Sequence, residues 1–260
     1  MSDSVHTARN GAILEVTLDR PKANAIDAAT SRALSAAFEG FRDDPALRVA
    51  IFTGAGDRFF SAGWDLNAAA AGEEFESDYG AGGFGGFGEL PDLNKPVIAA
   101  VNGLAVGGGF ELAMAADLVV AADHAEFFLP EAGLGIIPDV GTIRLPRLLP
   151  RQLATEILVA GKRLTAADAH RWGLVNEVVP RQELMDAARA LAERVVAAAP
   201  LAVASILDLV DRTAHLSQDA ALALMRSGEV ELYESMLSSA DAAEGPQAFT
   251  EKRPPQWKGR

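Results

Sequence analysis

Between Pro96 and Ala122 the chain is almost unbroken in small and apolar residues, yet the run holds Asn102, Glu111, Asp117 and the triplet Gly107-Gly108-Gly109. Crossing a bilayer would strand those polar groups in hydrocarbon, so the run has to fold back on itself inside a globule. Val97 to Val101 reads as a buried strand, Asn102-Gly103 as a turn, the glycines as a corner, Phe110 to Ala116 as an apolar helix and Leu118 to Ala121 as a second strand. The same order occurs upstream. Leu14, Val16 and Leu18 alternate with Glu15 and Thr17 along a strand from Gly11 to Leu18, which turns at Asp19-Arg20-Pro21. Asp27 then caps a helix with Leu34, Phe38 and Phe41 on one face, and Val49 to Thr53 is a short buried strand closed by Gly54-Ala55-Gly56. Strand and helix alternate, which predicts an α/β core built of similar units.

After residue 145 the pattern becomes helical. Leu149 to Ala160, Thr165 to Trp172 and Gln182 to Ala198 read as helices, with one strand at Leu174 to Val179. Pro200 breaks the chain, and helical stretches follow from Leu201 to Thr213 and from a Ser217 cap to about Leu237. The expected division is a core over 1–200 and a C-terminal helical region over 201–260. So apolar a tail needs a surface to cover it, either a second copy of the chain or its own core.

The charge balance narrows the partners. Among 260 residues, 23 Lys and Arg stand against 36 Asp and Glu, a net −13 that repels nucleic-acid backbones and anionic membranes. No nucleic-acid or membrane partner is expected. There is no cysteine, which removes disulfides, thiolate metal sites and Cys nucleophiles, and the four histidines share no ligand spacing, so no metal is expected. Met1 to Gly11 lacks the basic-then-apolar order of a secretion signal, and a cytoplasmic setting is expected.

Gly80-Ala81-Gly82-Gly83-Phe84-Gly85 formally matches a dinucleotide fingerprint, but an acidic run precedes it and Glu89-Leu90-Pro91 follows where a helix should start. The expectation there is a mobile loop carrying Phe84 and Phe87. The corner Val106-Gly107-Gly108-Gly109-Phe110-Glu111-Leu112 is more informative, because a strand-to-helix turn of glycines leaves backbone N–H groups free at the positive end of a helix. Taken alone, Glu111 equally suits an acid that merely complements the helix dipole. Glu131, behind Leu129-Pro130, alone suits a solvated loop carboxylate.

With Phe59-Phe60-Ser61-Ala62-Gly63-Trp64-Asp65-Leu66, Asp19-Arg20-Pro21-Lys22-Ala23-Asn24-Ala25 and Ala248-Phe249-Thr250-Glu251-Lys252-Arg253, these segments resemble the crotonase family, the enoyl-CoA hydratase and isomerase superfamily, in order and spacing. The resemblance covers nearly the whole chain. It implies a crotonase-like spiral of repeated ββα units followed by a C-terminal helical subdomain, and a homotrimer or homohexamer. It implies an acyl-CoA thioester as substrate, coenzyme A being part of that substrate, and no prosthetic group.

Residue by residue, the resemblance makes Glu111 and Glu131 the catalytic pair and the Trp64 and Gly108 amides the oxyanion hole. Lys22, Ala62, Gly63, Asp65, Leu66, Phe249 and Lys252 become CoA contacts, with Phe84, Phe87 and Asp139 around the acyl pocket. Arg9 to Ala28, Phe60 to Leu66, Arg171 to Val179 and Trp257-Lys258-Gly259-Arg260 are most similar to the branch that dehydrates carnitinyl-CoA. A trimethylammonium group in that substrate would call for aromatic faces, expected from Trp64, Phe84 and Phe87. Straight-chain enoyl-CoA hydration or double-bond isomerisation is the alternative, and a non-catalytic scaffold is a third reading that the paired glutamates oppose. The run Pro138-Asp139-Val140-Gly141-Thr142 is about one residue shorter than the family's usual glycine-rich run.

Overall fold

The computed structural model describes residues 4–260; Met1–Asp3 of the stretch Met1 to Gly11 lie outside them. The strands are β1 (Val5–Asn10), β2 (Ile13–Leu18), β3 (Ala25–Ile26), β4 (Val49–Gly54), β5 (Phe59–Ser61), β6 (Gly63–Trp64), β7 (Val97–Val101), β8 (Leu104–Val106), β9 (Leu118–Ala122), β10 (Glu126–Phe128), β11 (Leu164–Thr165) and β12 (Glu177–Val179). The helices of the core are α1 (Ala28–Asp43), α2 (Leu66–Ala70), α3 (Gly108–Ala115), α4 (Asp139–Leu148), α5 (Arg151–Ala160), α6 (Ala166–Arg171) and α7 (Leu184–Val196). The tail adds α8 (Pro200–Thr213), α9 (Gln218–Met225), α10 (Glu231–Leu237) and α11 (Ala240–Glu251).

Three successive units make the spiral visible. β4, β7 and β9 lie side by side in a six-stranded sheet of order β1-β2-β4-β7-β9-β12, while the strand that follows each, β5, β8 and β10, lies in a second sheet of order β11-β10-β8-β5. Each unit therefore steps one strand along both sheets, and the helical elements after them, α2, α3 and α4, follow the same progression. The large sheet is parallel except at the β1–β2 hairpin.

The strand period explains the layers. Val49 and Ile51 of β4, with Ile98 and Ala100 of β7, pack under Leu184, Ala188 and Ala192 of α7. Ala50 and Phe52, with Ala99 and Val101, face the main core on the other side. A strand covered on both faces reads as a continuous apolar run, which is why Val49 to Thr53 and Val97 to Val101 are legible without polar alternation.

Several expected boundaries differ. The stretch from Ser217 to Leu237 is two helices, α9 and α10, because Ser227-Gly228 intervenes and Gly228 takes φ 81°. The strand placed over Leu174 to Val179 is only β12, since Leu174 and Val175 close the end of α6 on the Ala169 carbonyl. Helix α4 replaces an expected loop at Pro138 to Thr142. The Asp27, Thr165 and Ser217 caps each accept a backbone N–H in the first turn, from Thr30, Asp168 and Ala220.

Among the described residues no single helix is long and apolar enough to cross a membrane. The segments Arg181–Val196 and Pro200–Thr213 pass such a test only as a pair bent by 102°, and α7 is already committed to the sheet.

Candidate active site

A cavity of about 650 Å³ opens where the second strands meet the helix starts. Its geometry begins at the glycine corner. Gly107, at φ 55°, ends the chain's run from β8 and lets it enter α3 at once. The first amides of α3 consequently have no partner within their own helix. Gly63 of β6 packs directly on that turn, where a Cβ would stand 2.6 Å from the Gly108 nitrogen. Trp64 and Gly108, from separate units of the spiral, thus have neighbouring backbones, and both line the cavity.

Glu111 follows one turn into α3 and is half-buried. Its Oε1 accepts the Gly141 N–H at 2.6 Å, so the shortened run at Pro138 to Thr142 still delivers an amide to the carboxyl. Burial pushes the Glu111 pKa up to about 7; the carboxylates of Glu131 and Asp139 add to the rise, and the Gly141 hydrogen bond and Arg144 oppose it. Glu131 opens a 3-10 turn behind Pro130, is buried, and is also raised by its burial. Its Oε1 lies against Gly107, where any Cβ would strike it, and its Oε2 has no hydrogen-bond partner. A buried carboxyl with a free oxygen is costly unless it serves chemistry or is protonated.

Most of the expected site residues converge on this cavity: Glu111, Glu131, Trp64, Gly108, Ala62, Asp65, Leu66, Phe84 and Asp139 all line it. Asp65 has a structural duty as well, capping α2 at Asn67 and pairing with Arg20 at 2.7 Å. Lys22, Phe249 and Lys252 are exposed and do not line it.

Phe87 corrects its expectation. It is buried in the core, with ring centroids 4.7 Å from Phe38 and 5.8 Å from Phe52, and takes no part in the cavity wall. The segment around it is also fastened rather than mobile. Ser31 Oγ lies within hydrogen-bond distance of the Tyr79 and Gly83 carbonyls, which share its one proton, and accepts from Gly85 N; Ser35 Oγ accepts from Gly82 N, and Arg32 donates to the Asp78 carbonyl. The glycines serve close approach: a Cβ at Gly86 would come within 2.5 Å of the α1 backbone at Leu34.

Sequence reasoning missed Tyr79, which lines the cavity edge-on to Phe84 at 5.4 Å, and Arg144, the one Lys or Arg among the lining residues. Nothing in the polar run before Tyr79 marks it. Among the described residues no group of three or more His, Asp or Glu side chains is placed to hold a metal.

The family model for enoyl-CoA hydratase/isomerase matches residues 8–260. The chain belongs to that family. It is an enzyme, of the hydro-lyase class. Among curated relatives, carnitinyl-CoA dehydratase of Salmonella enteritidis PT4 is 58% identical over 261 residues, with all of both chains covered. Among solved structures, an enoyl-CoA hydratase from Mycobacterium tuberculosis H37Rv superposes with a TM-score of 0.90 at 39% identity, covering 99% of each chain. One from Bacillus anthracis has the same TM-score at 34% identity, covering 99% of this chain and all of that one.

Proposed function

We propose that this enzyme dehydrates carnitinyl-CoA reversibly to crotonobetainyl-CoA and water. The observation that supports the reading is the pair of carboxyls whose charge burial disfavours, Glu111 and Glu131, on a cavity also lined by Trp64 and Gly108. The substrate follows the full-length similarity to carnitinyl-CoA dehydratase.

Removing a proton α to a thioester carbonyl develops charge on the carbonyl oxygen, and two converging backbone N–H groups in a site poor in water lower that barrier by several kcal/mol. Trp64 and Gly108 supply them. The β-hydroxyl leaves only if it is protonated as the C–O bond breaks, and the reverse reaction needs a base for the attacking water. Two neighbouring carboxyls that resist double ionisation share one proton at neutral pH, which suits an elimination in either direction. Glu111 handles the β-oxygen and Glu131 exchanges the α-proton. The thioester's nucleotide end is held along Ala62 to Leu66, with Lys22, Phe249 and Lys252 as further CoA contacts.

The second reading, hydration of straight-chain enoyl-CoA, is in keeping with the names of two solved neighbours, both enoyl-CoA hydratases. Purified protein offered crotonobetainyl-CoA and crotonyl-CoA separates the two through the loss of conjugated-thioester absorbance. Efficient turnover of the betainyl ester is expected, and turnover of crotonyl-CoA alone would assign the second reading.

A further inference from the structure

In a carnitinyl thioester one methylene separates the β-carbon from the quaternary nitrogen, placing the charge about 2.5 Å from that carbon. Whatever holds the cation must therefore adjoin Glu111, the group assigned to the β-oxygen. A trimethylammonium donates no N–H bond, so aromatic faces and carboxylates are the means of holding it.

The wall next to Glu111 offers both. Asp139, the first residue of α4, is close enough to Glu111 to raise its pKa, and it acts in the same sense on the Tyr79 phenol, as do Glu73 and Glu76. Tyr79 stands perpendicular to Phe84, with an interplanar angle of 85°. Phe84 in turn covers Gly108, where a Cβ would meet its ring edge at 2.5 Å. Gly108, Phe84, Tyr79, Asp139 and Glu111 all line the one cavity, which holds both the amide corner and the reacting carboxyl.

Each member is free for the task. No Lys or Arg pairs with Asp139 among the described residues, and Arg144 spends its guanidinium on the Gly88 and Met114 carbonyls. The Tyr79 hydroxyl donates to the Phe75 carbonyl at 2.9 Å, which fixes the ring while the residue lines the cavity. Trp64, by contrast, gives its indole N–H to Glu73 and sets its ring edge-on to Phe75.

We infer that Asp139, Tyr79 and Phe84 form a quaternary-ammonium subsite that selects a cationic acyl group over a neutral one of the same shape. The inference rests on the function proposed above and names the groups that would give it specificity.

The test compares crotonobetainyl-CoA with its neutral isostere, in which a quaternary carbon replaces the nitrogen. Asp139→Asn and Tyr79→Leu should each lower kcat/KM for the charged ester roughly tenfold more than for the neutral one, within the range expected for losing a cation contact near a protein surface. Tyr79→Phe, which keeps the ring, should retain the wild-type ratio. Because each ratio is taken within one variant, partial loss of folded enzyme cancels. Equal losses on both esters in an enzyme that otherwise turns over crotonobetainyl-CoA would overturn the subsite alone. Failure of the unmodified enzyme on crotonobetainyl-CoA, with the isostere hydrated, would overturn the substrate assignment and the subsite together.

Discussion

Glu111 and Glu131 ask most of their surroundings, because the fold holds two acids where burial disfavours their charge. Replacing either by Gln keeps the volume and removes proton transfer, so kcat should fall by roughly 10²-fold or more for each. A variant with near wild-type turnover would refute the paired mechanism. Stability should move the other way. A carboxyl whose folded pKa lies near 7 rather than 4.5 binds a proton in the folded state that the unfolded chain has released, so wild-type stability falls as pH rises through that interval. Glu111→Gln removes this penalty. Its Tm should exceed the wild-type value at pH 8 and converge on it near pH 4, where both carry a neutral side chain; thermal unfolding at the two pH values checks this. In the sequence these two residues stood out only through the resemblance to the family, because a first-turn acid and a carboxylate after a Pro each have a plain structural use; what the fold adds is that both line one cavity. The sides taken by Tyr79 and Phe87 were not legible, since two aromatics in one glycine-rich stretch carry no periodicity to tell the core side from the cavity side.

At the scale of elements, the segment from Phe75 to Glu89 has almost no regular structure and depends on helix α1 for its shape. Ser31, fully buried, shares its one proton between two carbonyls of that segment and accepts one of its amides. Ser31→Ala leaves those groups short of partners and should cost about 1–3 kcal/mol, read as a lower denaturant midpoint. KM should rise in the same variant, because Tyr79 and Phe84 sit on the loosened wall; an unchanged midpoint and KM would show that α1 does not organise the segment. The sequence showed α1 clearly, through its cap and its Leu34, Phe38, Phe41 stripe, but not what its serines bind, since hydrogen bonds between distant segments leave no local pattern. Strands β5 and β6 escaped for a related reason: two or three residues are too few to display an alternation. Helix α4 escaped because Pro138, Gly141 and Pro146 are all poor helix formers, and its packing against α3 overrides them.

The whole molecule leaves one account open at its surface. On the tail, Ile206 and Val210 of α8 are each 59% exposed and Phe249 of α11 is 87% exposed, while Ile143 of α4 and Val159 of α5 are exposed elsewhere on the chain. A monomer rarely shows two such apolar regions, and two different patches on one chain suit a heterologous contact, which makes a ring where the rotation closes. We therefore expect a homotrimer, or a homohexamer made of two such rings, with the helices over 201–260 as the joining region. The same assembly would explain why Phe249 and Lys252 lie away from their own chain's cavity: they would meet the CoA bound by a neighbour. Light scattering should give three or six times the chain mass of 27.3 kDa. The double variant Ile206→Asp/Val210→Asp should shift the protein toward the monomer mass and raise KM for CoA esters, since each cavity would lose its neighbour's contacts. A wild-type monomer across micromolar concentrations would reject the ring, and an undiminished oligomer in the double variant would move the joining surface off α8.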